Sequence, residues 1–495
     1  MGVAPAITTR PPPLIPPHKG YGVHGSDSLV MWNLIQVSDL LVGGFGMAMA
    51  VGDVRTEARG DWLIERVVAT GSLVVRKLGG DRAGEIAAHR FLSSSHVSVQ
   101  AIAATLAWRT AEQCAGRDIV VIQDTTEINF AGRAGRRDGF GPGGNGSDPG
   151  FFIHPVLAVD VASEAVIGLA DVNIWTRAAE PAGARRRRGL ADKESMRWLE
   201  GCAAAAEVLG AAASLTMIAD RESDIYELFA SRPQRLDLIV RAAQNRSLED
   251  GGRLFDALVE APVLKCQNVA VAARGPGDKG RIAKVEIKAG AVRIKHPRNG
   301  KRDQGQPDHL DLMLVEAREI GAPQGKTALC WRLFTTHGIK TPEDAARIVA
   351  LYRLRWRIEQ LFRALKSHGL RLEESQLTGV KRMFVLATIA LAAAVRTSQF
   401  VDARDGSPRP ATDVVDQALL EPIARLSAKL EGKTQRQKNP HPAESLAWLS
   451  WVVARLGGWN CYYKPPGPKT MRDGWTHLAT FLTGYSFATM ANANV

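Results

Sequence analysis

Two aspartates follow short apolar runs that have the composition of buried strands. Asp124 comes directly after Asp118–Gln123, and Asp220 comes directly after Leu215–Ala219. An acid at the carboxyl end of a sheet strand lies where α/β sheets place their ligand crevices. Aspartate also often turns the chain after a strand, and for either residue alone that ordinary explanation is the stronger one.

A third acid, Glu359, lies in a segment with helical spacing. At about 100° per residue, Tyr352, Arg355, Glu359 and Lys366 fall within an arc of about 60° on one helix face. An apolar stripe that would pack on the core runs beside them and consists of Leu354, Ile358, Leu361, Phe362 and Leu365. The ordinary alternative is a solvated charged face with pairing between residues four apart.

The basic excess of this segment favours a phosphate site. Residues 352–371 carry six Arg or Lys, namely Arg353, Arg355, Arg357, Arg363, Lys366 and Arg371, against the single acid Glu359. So much like charge repels itself unless an anion neutralises it. Three acids can hold two Mg²⁺ ions, which prefer oxygen ligands. Two metals about 3.5–4 Å apart can promote phosphodiester attack, while Arg and Lys bind DNA phosphates.

Composition places the chain among globular proteins. It has 495 residues, 45% of them hydrophobic and 23% charged, and a formal net charge of +12. The basic balance indicates a polyanionic partner only weakly. Five dispersed cysteines without a C-x-x-C pair fit a reducing cytosol and indicate neither a disulfide framework nor a cysteine zinc site. The histidines lack metal-ligand spacing, and no phosphate-binding loop or serine-hydrolase motif is complete.

The order of elements predicts a mixed α/β fold. Three strands, a helix, a strand, a short helix and another strand are followed by a β-rich stretch and then by helices. This order predicts a ribonuclease-H-like core with helices on both faces of its sheet. Within the β-rich stretch, the alternating runs 284–288 and 292–295 predict two antiparallel strands with a turn between them. A single helical block is predicted over 342–372.

We expect several regions along the chain. They are a disordered Pro-rich leader (1–45), an N-terminal helical domain (46–115), the first part of the core (116–250), a β-rich insertion (251–338), the last part of the core with the Glu-bearing helix (339–400) and a C-terminal helical region (401–495). The apolar runs 40–51 and 383–395 are shorter than the roughly 20 residues of a membrane helix. We expect core segments there and no membrane partner.

The motifs together resemble a known family. Tyr352-x2-Arg355-x3-Glu359-x6-Lys366 resembles the Y-R-E-K signature of the insertion-sequence-4 family of bacterial DDE transposases. Asp124-Thr125-Thr126 and the segment 220–229 resemble its two aspartate motifs. Further similarity to the Tn-5 transposase type lies in Gly52–Arg55, His89–Phe91, Lys193–Ser195 and Leu446–Trp459, so that the resemblance spans roughly residues 45–485. The Pro-rich leader has no counterpart.

The resemblance implies fold, chemistry and partners. It implies a ribonuclease-H-like core with a β-rich insertion, an N-terminal helical domain that binds transposon-end DNA, and a C-terminal region that forms the homodimer of a synaptic complex. Asp124, Asp220 and Glu359 would be the catalytic metal-binding triad for two Mg²⁺ ions, with Mn²⁺ as a substitute. Residues that would contact DNA are Tyr352, Arg355, Lys366, Trp331, Arg241 and Arg363.

Three functions remain open at this point. The first is a cut-and-paste transposase that cleaves transposon ends in double-stranded DNA, through a hairpin, and joins the 3′-hydroxyls to target DNA. The second is a catalytically silent DNA-binding inhibitor or decayed copy. The third is a ribonuclease-H-like nuclease without strand transfer. The intact carboxylates and the complete four-residue signature favour the first, in the bacterial cytoplasm at the nucleoid. A core position is the alternative explanation for Trp331, and a solvated loop explains Arg185–Arg188 as well as a DNA contact does.

Overall fold

The structure is a computed structural model, and it describes residues 54–131, 139–144, 146, 148–178, 194–271, 280–297, 306–366 and 369–493. The expected leader at 1–45, the apolar run at 40–51 and the Arg185–Arg188 run lie outside the described residues.

Within the described residues, four helices precede the first strand. They are α1 (Val54–Thr70), α2 (Val75–Gly79), α3 (Arg82–Ser93) and α4 (Val99–Cys114). Side chains fix two of the helix starts, since the Asp81 carboxylate accepts from the Gly84 N–H and the Ser98 hydroxyl accepts from the Ala101 N–H. The apolar faces of these helices join the same buried core as one face of the sheet.

The sheet begins with strands that pair in an order different from their sequence. These strands are β1 (Asp118–Gln123), β2 (Thr126–Asn129), β3 (Gly141–Pro142), β4 (Pro149–Asp160) and β5 (Val166–Trp175). After α5 (Met196–Val208) come β6 (Ser214–Ala219), α6 (Tyr226–Ala230) and β7 (Asp237–Arg241). Spatially the order is β5, β4, β1, β6, β7; β4 is antiparallel to β1 and β5, whereas β1, β6 and β7 are parallel.

The β-rich segment continues this sheet. Its strands are β8 (Lys265–Val271), β9 (Arg281–Lys295), β10 (His309–Glu319) and β11 (Cys330–Thr335). They pair antiparallel in the order β11, β10, β9, β8, and β11 pairs antiparallel with β7. The expected β-rich insertion is therefore hydrogen-bonded to the core sheet.

One expectation within this segment was wrong. The runs 284–288 and 292–295 form one unbroken strand, β9, and Gly290 pairs with Leu314 in its middle. Val285 and Ile287 pack in one core, whereas Val292 and Ile294 pack in the other. The covered face of the sheet changes along the strand, so the hydrophobic pattern shifts phase without a turn.

The predicted helical block at 342–372 is divided. Helix α7 (Pro342–Arg353) ends before α8 (Trp356–Leu365) begins. Between them Leu354 and Arg355 keep helical backbone angles, but the turn tightens to i→i+3 bonds such as Arg355 N–H to Tyr352 C=O, 3.1 Å. A uniform helical wheel across this segment was therefore an approximation.

The C-terminal part of the described chain is helical. It comprises α9 (Val380–Ala403), α10 (Leu420–Leu430), α11 (Leu446–Leu456) and α12 (Pro468–Ala493). Helix α9 is long and apolar enough to cross a membrane by length and composition, but 78% of its most apolar window is buried inside the protein. That burial is typical of the core helix of a soluble protein, which is how the sequence was interpreted.

Alternate side chains of β1 enter two different cores. Val120 and Ile122 belong to the core that also contains residues of α8, while Ile119 and Val121 belong to the core that contains Trp198 of α5. Such two-sided burial gives an almost continuous apolar strand. The mixed α/β class is confirmed, and a large mixed sheet covered by helices is consistent with a ribonuclease-H-like DDE domain.

The buried face of α9 generates a stability prediction. We expect Leu386→Ala to lower the free energy of unfolding by about 2–5 kcal/mol, because Leu386 is fully buried and its truncation leaves a cavity. Chemical denaturation would measure the loss. Ile282→Ala is the matched control, since Ile282 is 73% exposed and its truncation should change stability little. Equal losses in the two variants would contradict the packing described for α9.

Candidate active site

The two aspartates emerge side by side at one edge of the sheet. Strands β1 and β6 are parallel neighbours, with Ile122 paired to Ile218, so both strands end together. Asp124 and Asp220 follow them directly. The two acids therefore lie at the carboxyl ends of neighbouring strands, the edge where α/β sheets place their ligands.

An interruption in one hydrogen-bond ladder leaves the first aspartate outside regular strand pairing. Gln123 pairs with Val156 and Thr126 pairs with Ile153, so β1 and β2 continue in one register along the same edge of β4. Asp124 and Thr125 fall at the gap, opposite Pro155, which has no N–H to donate. The Asp124 carboxylate accepts from the Thr125 N–H at 2.8 Å.

A buried ion pair holds the turn after Asp220. The Asp224 carboxylate accepts from Arg246 at 2.6 and 3.1 Å and from the Ala243 N–H at 2.8 Å. Both side chains are nearly inaccessible to solvent, so removal of either one would leave an uncompensated buried charge. The turn is thereby fixed to the chain after β7. Asp224 stood within the second-aspartate motif, but Arg246 carried no sequence signal.

Arg355 brings the three acids together. Its guanidinium donates to Glu359 Oε1 at 2.7 Å and lies 3.6 Å from Asp124 Oδ2 and 3.9 Å from Asp220 Oδ2. Its side chain is 8% exposed, so these attractions act with little screening by water. The tight turn between α7 and α8 places Arg355 one turn before Glu359 and aims both at the aspartates.

Three further predicted residues lie around Asp220. The Tyr352 hydroxyl donates to Asp220 Oδ1 at 3.3 Å, and Arg241 Nη1 lies 3.6 Å from the same oxygen. Trp331 is 6% exposed and packs edge-to-face on Tyr352, with ring centroids 5.1 Å apart. The core position considered for Trp331 is what the structure shows, and a contact with DNA stays a prediction.

Two predicted residues lie away from the acids. Lys366 follows the end of α8 and pairs with Glu373 at 3.9 Å. Arg363 is exposed in the last turn of α8 and forms no ion pair within the described part of the chain. Of the four residues placed on one helix face, Tyr352, Arg355 and Glu359 lie together at the aspartates. The Lys366 ammonium faces a different carboxylate.

The charge argument for a phosphate site needs a correction. Five of the six basic residues at 352–371 pair with protein carboxylates, and Arg363 is the exception among the described residues. Arg353 pairs with Glu164 and Arg357 with Asp402, both far away in sequence. The repulsion expected from the local sequence is thus relieved by distant acids. Exposed Arg363 and the surroundings of the triad remain as candidate phosphate contacts.

Burial and neighbouring charges change the titration of the site. Burial raises the pKa of Asp124 to about 6; Glu222 and Asp220 push it upward too, whereas Arg355 and the Thr125 N–H oppose the rise. Burial alone would lower the pKa of Arg355, but Tyr352, Asp220 and Glu359 outweigh it and raise that pKa. Arg355 therefore stays charged, and its charge compensates the acids.

The predicted metal ligands fit Mg²⁺ by chemistry but are not arranged as a ligand cluster. Across the described residues, no group of three or more His, Cys, Asp or Glu is placed to hold a metal ion. Arg355 accounts for this, since its guanidinium reaches all three carboxylates. The donors are carboxylate oxygens, the type that hard cations such as Mg²⁺ prefer.

A comparison with protein families agrees with this geometry. Residues 205–396 match the family model of a transposase DDE domain. The match supports a DDE transposase. It contains Asp220 and Glu359 together with Tyr352 and Arg355, whereas Asp124 precedes it. DDE transposases generally use divalent metal ions.

A buried histidine behind Asp124 was missed by the sequence reading. His154 Nε2 lies 3.0 Å from Gln123 Oε1, and His154 Nδ1 lies 3.0 Å from Thr125 Oγ1. Its ring packs edge-to-face on Trp198. Burial, with a smaller effect of Arg197, lowers the pKa of His154 to about 3. Cross-strand partnership has no signal in a single sequence, so His154 could not be singled out there.

His154 generates a prediction of pH dependence. A lowered pKa in the folded state means that the unfolded chain binds the proton first, so the stability from neutral His154 is full above about pH 6.5 and declines toward pH 3. Below pH 6.5, the free energy of unfolding of the native chain should fall more steeply than that of His154→Asn, and the difference in slope should approach about 1.4 kcal/mol per pH unit near pH 5. Chemical denaturation at several pH values measures both slopes, and parallel slopes would contradict a neutral buried imidazole.

Proposed function

We propose that this protein is a cut-and-paste DNA transposase of the insertion-sequence-4 family, of the Tn-5 type. It would bind transposon ends, cleave them by metal-dependent phosphodiester attack through a hairpin, and join the 3′-hydroxyls to target DNA. The observation that carries the proposal is the meeting of Asp124, Asp220 and Glu359 at one arginine, beside Tyr352. The match of residues 205–396 to a transposase DDE domain supports it.

The three carboxylates would hold two Mg²⁺ ions, with Mn²⁺ as a substitute. Bound there, the ions would supply activation of the attacking oxygen and stabilisation of the leaving oxygen. Asp124 and Asp220 would be ligands from the strand ends, and Glu359 would be the ligand from α8. In the absence of metal and DNA, Arg355 keeps these acids together, and its positive charge would attract a scissile phosphate.

DNA would reach this site along basic side chains. Arg241 borders Asp220, and exposed Arg363 lies on α8, the same helix as Glu359. We propose both as phosphate contacts, together with Lys366 once it exchanges Glu373 for a phosphate. Trp331 would stack on a displaced base only after it separates from Tyr352, because it is buried in the protein alone.

The remaining assignments follow the resemblance. We propose that the helices before β1 bind transposon-end DNA, that the C-terminal helices form a homodimer in the synaptic complex, and that the protein acts in the bacterial cytoplasm at the nucleoid. Transposon ends and target DNA would be its double-stranded partners. A catalytically silent inhibitor is disfavoured, because all three acids are present and gathered.

The first test removes one acid. We expect Glu359→Gln to lower cleavage of matched transposon ends at least about 100-fold and to leave DNA binding unchanged, because an amide is a poor Mg²⁺ ligand. Gel-based cleavage and binding assays measure the two effects. Glu343→Gln is the control, since this exposed helix glutamate pairs with Lys265 far from the aspartates. Full cleavage by Glu359→Gln would overturn the proposed triad.

A second test separates transposition from plain nuclease activity. With pre-cleaved ends and a target plasmid, we expect joined products that depend on Glu359. Cleavage of uncut transposon ends, without joined products from the pre-cleaved ends, would instead indicate a ribonuclease-H-like nuclease. Binding without either reaction in the native chain would indicate the silent inhibitor. Inverted repeats identified in the genomic DNA beside the gene would supply these substrates.

Arg355 generates a metal-dependent prediction. We expect Arg355→Gln to lower the melting temperature in chelator, because three acids lose their shared cation. Mg²⁺ or Mn²⁺ should raise the melting temperature of this variant by more than it raises that of the native chain. Thermal denaturation with and without metal measures this gain. Arg353→Gln is the control because it removes the ion pair between Arg353, in the last turn of α7, and Glu164, between β4 and β5. Equal gains in all three proteins would contradict the shared role of the acids.

A further inference from the structure

Arg197 lies between the two aspartate loops. Its Nε donates to Thr125 Oγ1 at 3.0 Å, directly beside Asp124, and its Nη2 reaches Glu222 at 3.4 Å in the turn that follows Asp220. Neither contact is to a triad acid itself. One side chain on α5 is thus tied to the loops that carry both aspartates.

We propose that Arg197 and Thr125 are positioning residues, which fix the Asp124 loop against the Asp220 turn so that the two carboxylates can share divalent cations. The inference rests on the proposed transposase function and deepens it. It assigns a task to residues outside the three acids and outside the four-residue signature.

The hydrogen bonds around Thr125 run in one direction. Because Arg197 Nε can only donate, Thr125 Oγ1 accepts there, and its own proton is free to go to His154 Nδ1. His154 then carries its proton on Nε2 and donates to Gln123 Oε1, which suits the neutral ring that burial enforces. Gln123 donates in turn to the Trp198 carbonyl at 3.4 Å. Each partner has one role, so the Thr125 hydroxyl has one orientation.

Arg197 itself is held on several sides. Its guanidinium lies 5.3 Å from the centroid of Trp175 and 5.5 Å from that of Trp198, and it donates to the Glu194 carbonyl at 2.5 Å. Its side chain is 11% exposed. The Glu194 carboxylate is bound in turn by Arg177 at 2.5 and 2.6 Å. Because Arg197 is fixed in this way, its hydrogen bonds can hold Thr125 and Glu222 in place.

The gap in the β ladder makes this support necessary. Asp124 and Thr125 lie between β1 and β2, where no ladder pairs are formed with β4. The polar contacts of the Thr125 side chain are the bonds to His154 and Arg197. Without them the Asp124 carboxylate could rotate away from Asp220. Groups that orient metal ligands typically change metal affinity or activity by 10–100-fold when they are removed.

The test uses substitutions that delete or keep single bonds in the full chain. Thr125→Val removes the hydroxyl and keeps the shape, while Thr125→Ser keeps the hydroxyl. Arg197→Gln removes the charge, while Arg197→Lys keeps it. Thr216→Val is the matched control, because Thr216 Oγ1 also lies 3.0 Å from a histidine ring nitrogen, that of His337, near the start of β6. Mn²⁺ binding by calorimetry and melting temperature in chelator are measured beside cleavage at increasing Mn²⁺.

We expect Thr125→Val and Arg197→Gln to weaken Mn²⁺ binding by about 10–100-fold and to shift half-maximal cleavage to correspondingly higher Mn²⁺. Saturating Mn²⁺ should restore most of the rate, and Thr125→Ser and Arg197→Lys should lie closer to the native chain. Thr216→Val should bind Mn²⁺ normally, whatever stability it loses. Native Mn²⁺ binding by Thr125→Val and Arg197→Gln would overturn the proposal.

Two further outcomes separate this inference from the function on which it rests. If Asp124→Asn abolishes Mn²⁺ binding and cleavage while Thr125→Val and Arg197→Gln behave as native, the triad stands and the positioning role fails. If Asp124→Asn changes neither Mn²⁺ binding nor cleavage, the proposed function itself fails. A last outcome is that Mn²⁺ binding falls in proportion to melting temperature, and by the same proportion in Thr125→Val and Thr216→Val. That result would show a merely structural role and overturn the inference.

Discussion

The contact of one guanidinium with three carboxylates is the interaction on which the site depends. Acids brought together at low exposure repel one another, and a fold that gathers them needs a cation among them. Arg355 supplies that cation from within the chain, at 2.7 Å from Glu359 and within 3.9 Å of both aspartates. Divalent ions bound by the three acids, or a phosphate bound nearby, would both change the electrostatic interactions of the Arg355 guanidinium. The stability of the site and its proposed chemistry therefore both depend on Arg355.

The rest of the fold serves to bring that side chain to the strand ends. Parallel pairing of β1 with β6 makes Asp124 and Asp220 neighbours, and the interrupted ladder beside Pro155 leaves Asp124 outside regular pairing. The tight turn between α7 and α8 redirects the chain so that Tyr352, Arg355 and Glu359 face the same place. Behind the aspartates, buried pairs such as Asp224 with Arg246 hold the loops.

Local patterns in the sequence were enough for the fold class, and they drew attention to the three acids, whose role as a metal-binding triad stays a prediction. Apolar runs that end in Asp124 and Asp220 predicted strand ends, and helical spacing brought Tyr352, Arg355 and Glu359 to one face. Tertiary partners were beyond such reasoning. The cations of 352–371 looked uncompensated because Glu164 and Asp402 are distant in sequence. The sequence predicted two strands in place of β9 because the buried face of this strand changes along its length. The role of His154 depends on its contact with Thr125 across the sheet, which local sequence does not reveal.

The parallel pairing of β1 with β6, and the arrival of Arg355 on a later segment, also bear on how the chain acquires its structure. Closing long loops costs entropy before any contact repays it, so such a sheet forms slowly. When the nascent chain has reached Asp220, both aspartates exist but Arg355 and Glu359 have not been synthesised. We expect the two strand ends to stay loosely organised on the ribosome until the segment after β11 emerges. Competence to cut DNA would then be one of the last properties that a newly made molecule gains.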